Sequence, residues 1–244
     1  MLRTQYSLIE VAGNGSNFSK AVTLMHWVYN NVLHCGGGAD VDIQRDPISI
    51  LEYSFGKGRV PGIYCRHQAV VFSECCLSIG LMARKIHCLP FSPNDYDTHV
   101  VSMVYINELN KWVLFDQSNN AYFTNKDGTV LSPLEARRLL GRDEIFVSES
   151  IQREVESYKQ YMAKNLFYIK FSARNTFGTD LVKNQITYHL TPLGFDAKDR
   201  EIAYCEYAIK NCPEDVRKGW YGALEDFKNQ QINVVSEDQF LSIK

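Results

Sequence analysis

Three residues, far apart in the chain, have the types and surroundings that nucleophilic chemistry needs: Cys65, His99 and Asp116. Cys65 follows a Pro61-Gly62 turn and opens the apolar stretch Cys65-Arg66-His67-Gln68-Ala69-Val70-Val71-Phe72. Cys65, Ala69, Phe72, Cys76 and Ile79 recur at three- and four-residue steps, which predicts a helix that begins at the cysteine and stops at Gly80. A helix start carries unpaired N–H groups and the positive end of the macrodipole. A thiol held there ionises more readily, and the thiolate is the attacking species. The ordinary alternative is a buried structural cysteine, a common state for a free thiol.

His99 and Asp116 belong to a predicted hairpin. Thr98 to Ile106 (THVVSMVYI) and Lys111 to Phe115 (KWVLF) are β-branched and aromatic, and Asn107-Glu108-Leu109-Asn110 joins them. A loop with an even number of residues pairs Ile106 with Lys111 and therefore Val101 with Asp116. Alternation then puts His99, Val101, Met103 and Tyr105 on one face with Trp112, Leu114 and Asp116. His99 and Asp116 become diagonal neighbours, roughly 7–8 Å apart at the backbone. An odd loop sends Asp116 to the opposite face. In the even register the carboxylate can orient the imidazole, and the imidazole can share the thiol proton. That is the nucleophile–base–orienter unit of acyl-transfer enzymes. Taken singly, His99 reads as a strand-end histidine and Asp116 as a turn cap.

The elements that must position these residues are legible in outline. Residues 18–34 carry Phe18, Val22, Met25, His26, Tyr29 and Leu33 on one helical stripe, with Ser16 or Asn17 as cap and Gly36-Gly37-Gly38 as stop. His26 and Trp27 read as core. Asp46-Pro47 opens a second helix over 48–55. Residues 83–89 read as a strand, 92–97 as a polar loop, and 121–124 with 129–131 as a hairpin around Asp127-Gly128. Ser132-Pro133-Leu134-Glu135 starts a helix reaching Leu140, and a longer helix is expected over 151–166. Residues 185–190 alternate as a strand. Residues 201–209 are ambiguous, with a strand beside 185–190 favoured, and Asn211-Cys212-Pro213 starts a last helix. The expected class is α+β. No repeat, linker or low-complexity tract divides residues 1–244, so a single domain is expected.

Composition narrows the function classes. The chain has 244 residues, 45% apolar and 22% charged, and can bury a substantial core. A formal charge of −2 gives no footprint for nucleic acid. No apolar run is long enough to span a bilayer, and the start MLRTQYSLIE lacks a signal-peptide core, so a cytoplasmic location is expected unless a leader has been removed. Seven cysteines, two of them adjacent at 75 and 76, do not form a disulfide framework. The pairs His34-Cys35, Cys65-Arg66-His67 and His87-Cys88 lack metal-ligand spacing, so neither metal nor cofactor is expected. The six thiols other than Cys65 are expected to be buried and inert.

The stretches G-x-x-C-R-x-x-A, S-I-G-L-M-A-R, T-H-V-V-S-M-V-Y and K-W-V-L-F-D, in that order, resemble the core of the transglutaminase-like superfamily. Leu24 to Val28 and Tyr161 to Leu166 also resemble bacterial proteins of that kind. The likeness covers about residues 20–125, and residues 126–244 form a weaker C-terminal extension. It implies a papain-related fold, with the Cys helix packed on an antiparallel sheet that carries His and Asp. It also implies a Cys65-His99-Asp116 triad. Gln117 stands where many members have Pro. For the side-chain oxyanion donor, Trp27 and Tyr53 are both candidates.

The activity expected from these readings is thiol-dependent acyl transfer on a peptide or protein amide, with hydrolysis favoured. The alternatives are transfer to an amine, as in a transglutaminase, and a catalytically silent binding or scaffold domain. An arylamine acetyltransferase is a further alternative, but its R-G-G-x-C lead is absent from Arg59-Val60-Pro61-Gly62-Ile63-Tyr64-Cys65.

Overall fold

Alternating apolar residues in the middle of the chain build a sheet, and helices earlier in the sequence supply one of its two coats. The computed structural model describes residues 1–36, 43–58, 60–148, 154–172, 174, 176–181 and 186–242. Five helices come first: α1 Leu2–Gln5, α2 Leu8–Ala12, α3 Asn17–Asn31, α4 Pro47–Gly56 and α5 Cys65–Ser78. There follow β1 Ala83–Leu89, β2 His99–Ile106, β3 Lys111–Asp116, β4 Ala121–Thr124, α6 Pro133–Leu140 and β5 Phe146–Ser148. The remainder is α7 Val155–Asn165, β6 Tyr168–Ser172, β7 Thr187–Leu190, α8 Ala197–Asn211, α9 Glu214–Asn229, β8 Asn233–Val234 and α10 Glu237–Ser242.

Caps fix several of these boundaries as the sequence requires. The Ser16 hydroxyl accepts from Ser19 N–H at the start of α3, and Asp46 accepts from Ile48 and Ser49 N–H at α4. Ser132 and Glu135 form the reciprocal capping box of α6. The strands lie in the order β5-β4-β3-β2-β1-β6-β7-β8, antiparallel except for the β7–β8 pair. This is an α+β architecture with helices ahead of a mostly antiparallel sheet.

The period of two divides the sheet residues between two cores. Val104, Ile106, Val113 and Phe115 face α1–α5 and pack with Leu24, Val28, Val71 and Phe72. Val101, Met103, Trp112 and Leu114 face the other way, against Leu134, Tyr158, Met162 and Phe240 from α6, α7 and α10. No helix among the described residues is long and apolar enough to cross a membrane.

Two expectations are corrected. Residues 201–209 lie within α8, not in a strand. Asp196 caps that helix by accepting from Lys198 and Asp199 N–H, and its buried positions Ala197, Glu201, Cys205 and Ala208 follow helical spacing. The 121–131 hairpin keeps its turn, with Gly128 at φ +77°, but its second arm makes a single bridge, Thr124 to Val130. Pro133 begins α6 almost at once, so β4 pairs instead with β3 and β5. The expected stop at Gly37-Gly38, the start at Ile151 and the strand residue Gln185 lie outside the described residues.

Helix α5 sits against β1 and β2 and buries Glu74 along with its apolar face. Both Glu74 oxygens accept from Gly178 N–H, at 2.8 and 3.0 Å, yet burial lifts the carboxyl to about 7. A carboxyl raised above its unfolded value of ~4.3 favours the folded state when protonated. That contribution is lost as pH climbs through about 7. Glu74→Gln keeps the acceptor for Gly178 and removes the titration. Urea midpoints across this range should therefore fall with pH in the wild type, and fall less in the variant.

Candidate active site

The site is assembled where the start of α5 meets one end of the β2–β3 hairpin. The hairpin turn contains four residues, ending at Asn110 with φ +48°, and Ile106 pairs with Lys111 as an even loop requires. That register brings His99 and Asp116 together, with His99 Nε2 2.7 Å from Asp116 Oδ2. Both side chains are buried, at 1% and 0% exposure.

A buried carboxylate survives only if its lone pairs are satisfied. Asp116 Oδ1 accepts from the N–H groups of Ser118 and Asn119, both at 3.1 Å. Oδ2 accepts from Asn119 Nδ2 at 2.9 Å and from the Tyr158 hydroxyl at 2.8 Å, besides the imidazole. Burial opposes its charge, but the His99 charge and these bonds hold the carboxyl at about 2. The first turn after β3 thus wraps its own carboxylate, and α7 adds Tyr158 from the far side.

The other imidazole nitrogen, His99 Nδ1, is buried without a hydrogen-bond partner, and the Cys65 thiol acts on the same ring. Burial works against the imidazolium, yet Asp116 and then Cys65 raise it to about 10. Cys65 itself is half-buried at the first residue of α5. Burial resists its ionisation, but contacts with the side chains of His34 and His99 outweigh it and bring the thiol down to about 6. Between roughly those two values the pair exists as thiolate and imidazolium.

His34 was not singled out from the sequence. It reaches the sulfur because residues 33–35 run beside residues 62–64, with Ile63 N–H donating to Leu33 O and Cys35 N–H to Ile63 O, each at 2.9 Å. Gly62 permits that approach, since a Cβ there would lie 2.9 Å from Cys35 Cβ and 3.0 Å from Leu33 O. One turn into α5, the buried Gln68 braces the same region by donating to Val32 O at 2.6 Å. No local sequence signal links position 34 to position 65; the Pro61-Gly62 turn is the nearest clue.

Cys65 opens onto a cleft of about 1050 Å³, lined among others by His34, Arg45, Arg66, His67, Tyr96 and Tyr161. Neither Trp27 nor Tyr53 lines it. Trp27 packs on the rings of Tyr6 and Phe55, and the Tyr53 hydroxyl donates to Pro61 O at 3.1 Å. The donors at hand are the N–H groups of Cys65 and Arg66 at the start of α5, since His67 N–H already donates to Tyr64 O. Gln117, in the place often held by Pro, is buried and donates to Val100 O at 3.2 Å, tying the end of β3 to β2.

The other thiols divide in two. Cys75, Cys76, Cys88 and Cys205 are buried, and burial pushes each thiol up. Cys35 is exposed and Cys212 half-buried, so the expectation of six buried sulfurs holds for four.

Alkylation of Cys65 by iodoacetamide, followed by mass spectrometry, should rise through about pH 6 and then level off. In His99→Ala the midpoint should move towards the ordinary thiol value of ~8.5. His34→Ala should move it in the same direction; an unmoved midpoint would deny His34 any part in ionising the thiol. Tyr158→Phe removes one donor from a buried charge, and should lower unfolding stability by about 1–3 kcal/mol in urea titrations.

No protein-family model matches the chain, and no curated protein matches it. Among solved structures it is similar to a provisionally named cysteine protease from Cytophaga hutchinsonii, at 22% identity and a TM-score of 0.35. The match covers 53% of this chain and 39% of that one. A likeness of that size carries no argument about activity.

Proposed function

We propose that the protein is a cysteine hydrolase of peptide or protein amides, with Cys65 as nucleophile, His99 as acid and base, and Asp116 as the group that orients His99. The observation that carries this reading is the His99 ring, fixed by the five-fold hydrogen-bonded Asp116 and acting on the Cys65 thiol at the start of α5. The papain-related fold implied by the transglutaminase-like motifs belongs to the same proposal.

In the proposed reaction the Cys65 thiolate attacks the amide carbonyl carbon. The developing oxyanion is met by N–H groups at the start of α5, where the macrodipole also favours negative charge. Asp116 holds the proton on Nε2, so Nδ1 is the nitrogen that faces the reacting atoms. The imidazolium gives its Nδ1 proton to the leaving amine as the C–N bond breaks, and a thioester remains on Cys65. Water then attacks the thioester while His99 takes its proton. The C–S bond breaks, the acid leaves, and the thiolate–imidazolium pair is restored. Hydrolysis is favoured over amine transfer because the cleft is open to solvent, where water far outnumbers any amine.

Cys65→Ala should abolish turnover of a peptide library with little change in thermal midpoint, since a half-buried sulfur leaves a small cavity. His99→Ala should cost about as much, and the double variant little more, because members of such a unit fail together. Products decide the class. Free acid without cross-link means hydrolysis, cross-links with an added amine mean transferase chemistry, and no turnover with unaltered partner binding means a scaffold.

A further inference from the structure

The wall of the cleft beside Cys65 holds more positive than negative charge among the described residues. Arg66 follows the nucleophile on α5 and reaches Asp180, with Nε 3.2 Å from Oδ2 and Nη2 3.3 Å from Oδ1. Lys85, from β1, pairs with the same carboxylate. Arg45 stands nearby at the approach to α4 and makes no hydrogen bond or ion pair among the described residues; Asp46, next to it, is occupied in capping α4. The guanidinium of Arg66 is the main influence pushing the Arg45 pKa down, so the two cations repel each other. Three cations therefore share one carboxylate.

No other acid of the cleft among the described residues relieves this. Asp97, on the lining, is 3.3 Å from the Lys164 ammonium, and Asp95 is engaged with the same lysine. Glu74, behind Lys85, is bound to Gly178 N–H and held towards its neutral form. His67 also lines the cleft, and its Nδ1 is buried without a hydrogen-bond partner. The lining thus sets His67, whose buried Nδ1 has no partner, beside a guanidinium that forms no ion pair among the described residues.

We propose that Arg45, Arg66 and His67 form a subsite for a carboxylate carried by the substrate, so that the acyl substrates are acidic peptides with glutamate or aspartate near the reacting carbonyl. The proposal rests on the reading of Cys65 as the nucleophile and adds the substrate class to it. A carboxylate between the two guanidiniums accepts charge-assisted, planar hydrogen bonds and cancels their repulsion. A neutral side chain leaves that repulsion in place, and a lysine adds to it.

The test uses peptidyl vinyl sulfones, to which a thiolate adds without any amide being cleaved. Paired probes carry Glu or Gln at the first or at the second residue from the electrophile, and labelling of Cys65 is timed by mass spectrometry. At one of these positions the Glu probe should label wild type at least about tenfold faster than its Gln partner. In Arg45→Glu that preference should vanish or reverse. Arg45 is exposed and makes no hydrogen bond or ion pair among the described residues, so the substitution breaks none of these. Equal rates for Glu and Gln at both positions would overturn the subsite, as would a preference unchanged in Arg45→Glu. So would failure of every probe on a protein whose Cys65 still takes iodoacetamide. A Glu preference lost in Arg45→Glu, together with no turnover of any peptide amide, would discard the hydrolase reading and leave the subsite standing.

Discussion

The buried charge on Asp116 is the constraint around which the rest is arranged. A carboxylate with no solvent exposure is tolerable only with near-complete hydrogen bonding and a counter-charge close by. The protein supplies this from three directions: the backbone turn just after β3, the Tyr158 hydroxyl from α7, and the His99 ring from β2. Each donor fixes a different element. The turn ends β3, Tyr158 ties the α7 layer to the sheet, and His99 sets the pairing of the hairpin. Removing any of them would leave charge stranded in a medium of low polarity, so the packing of this end of the molecule and the poise of the imidazole are one problem.

Cys65 is then activated from two sides by independent structures. His99 comes from the sheet, held through Asp116. His34 comes from the helical layer, held by a short backbone pairing with residues 62–64 that Gly62 makes possible. Helix α5 spans the gap between them, and Gln68 fastens its first turn to the end of α3. The thiol therefore sits at the junction of the two layers, and its ionisation reports on how well they are docked.

Much of this was legible from the residues, for physical reasons that differ by element. The hairpin could be read because its loop length fixes strand parity, and parity alone decides whether His99 and Asp116 share a face. The starts of α3, α4 and α6 could be read because Ser16, Asp46 and Ser132 satisfy backbone donors locally. Helix α8 misled because Ile202, Tyr204 and Tyr207 favour strands in isolation, whereas the Asp196 cap and the spacing of its buried positions decide the matter. Strands β5 and β6 went unseen because each is short and draws its partner from far along the chain. His34 was invisible for a similar reason: only a tertiary approach of two loops makes it a neighbour of Cys65. The proposed triad was legible as local pattern; His34, the second imidazole beside Cys65, was not.

The sheet order has a consequence for how the molecule meets other chains. An eight-stranded open sheet has two free edges, and an exposed edge is a template on which a foreign strand can add itself. Here the long strands β1, β2 and β3 are all interior, while the outermost strands, β5 and β8, have only three and two residues. Along the described residues an intruding chain would find no more than one or two main-chain hydrogen bonds at either border. Among the described residues, the sheet is thus guarded against edge-to-edge aggregation by the brevity of its border strands rather than by charge.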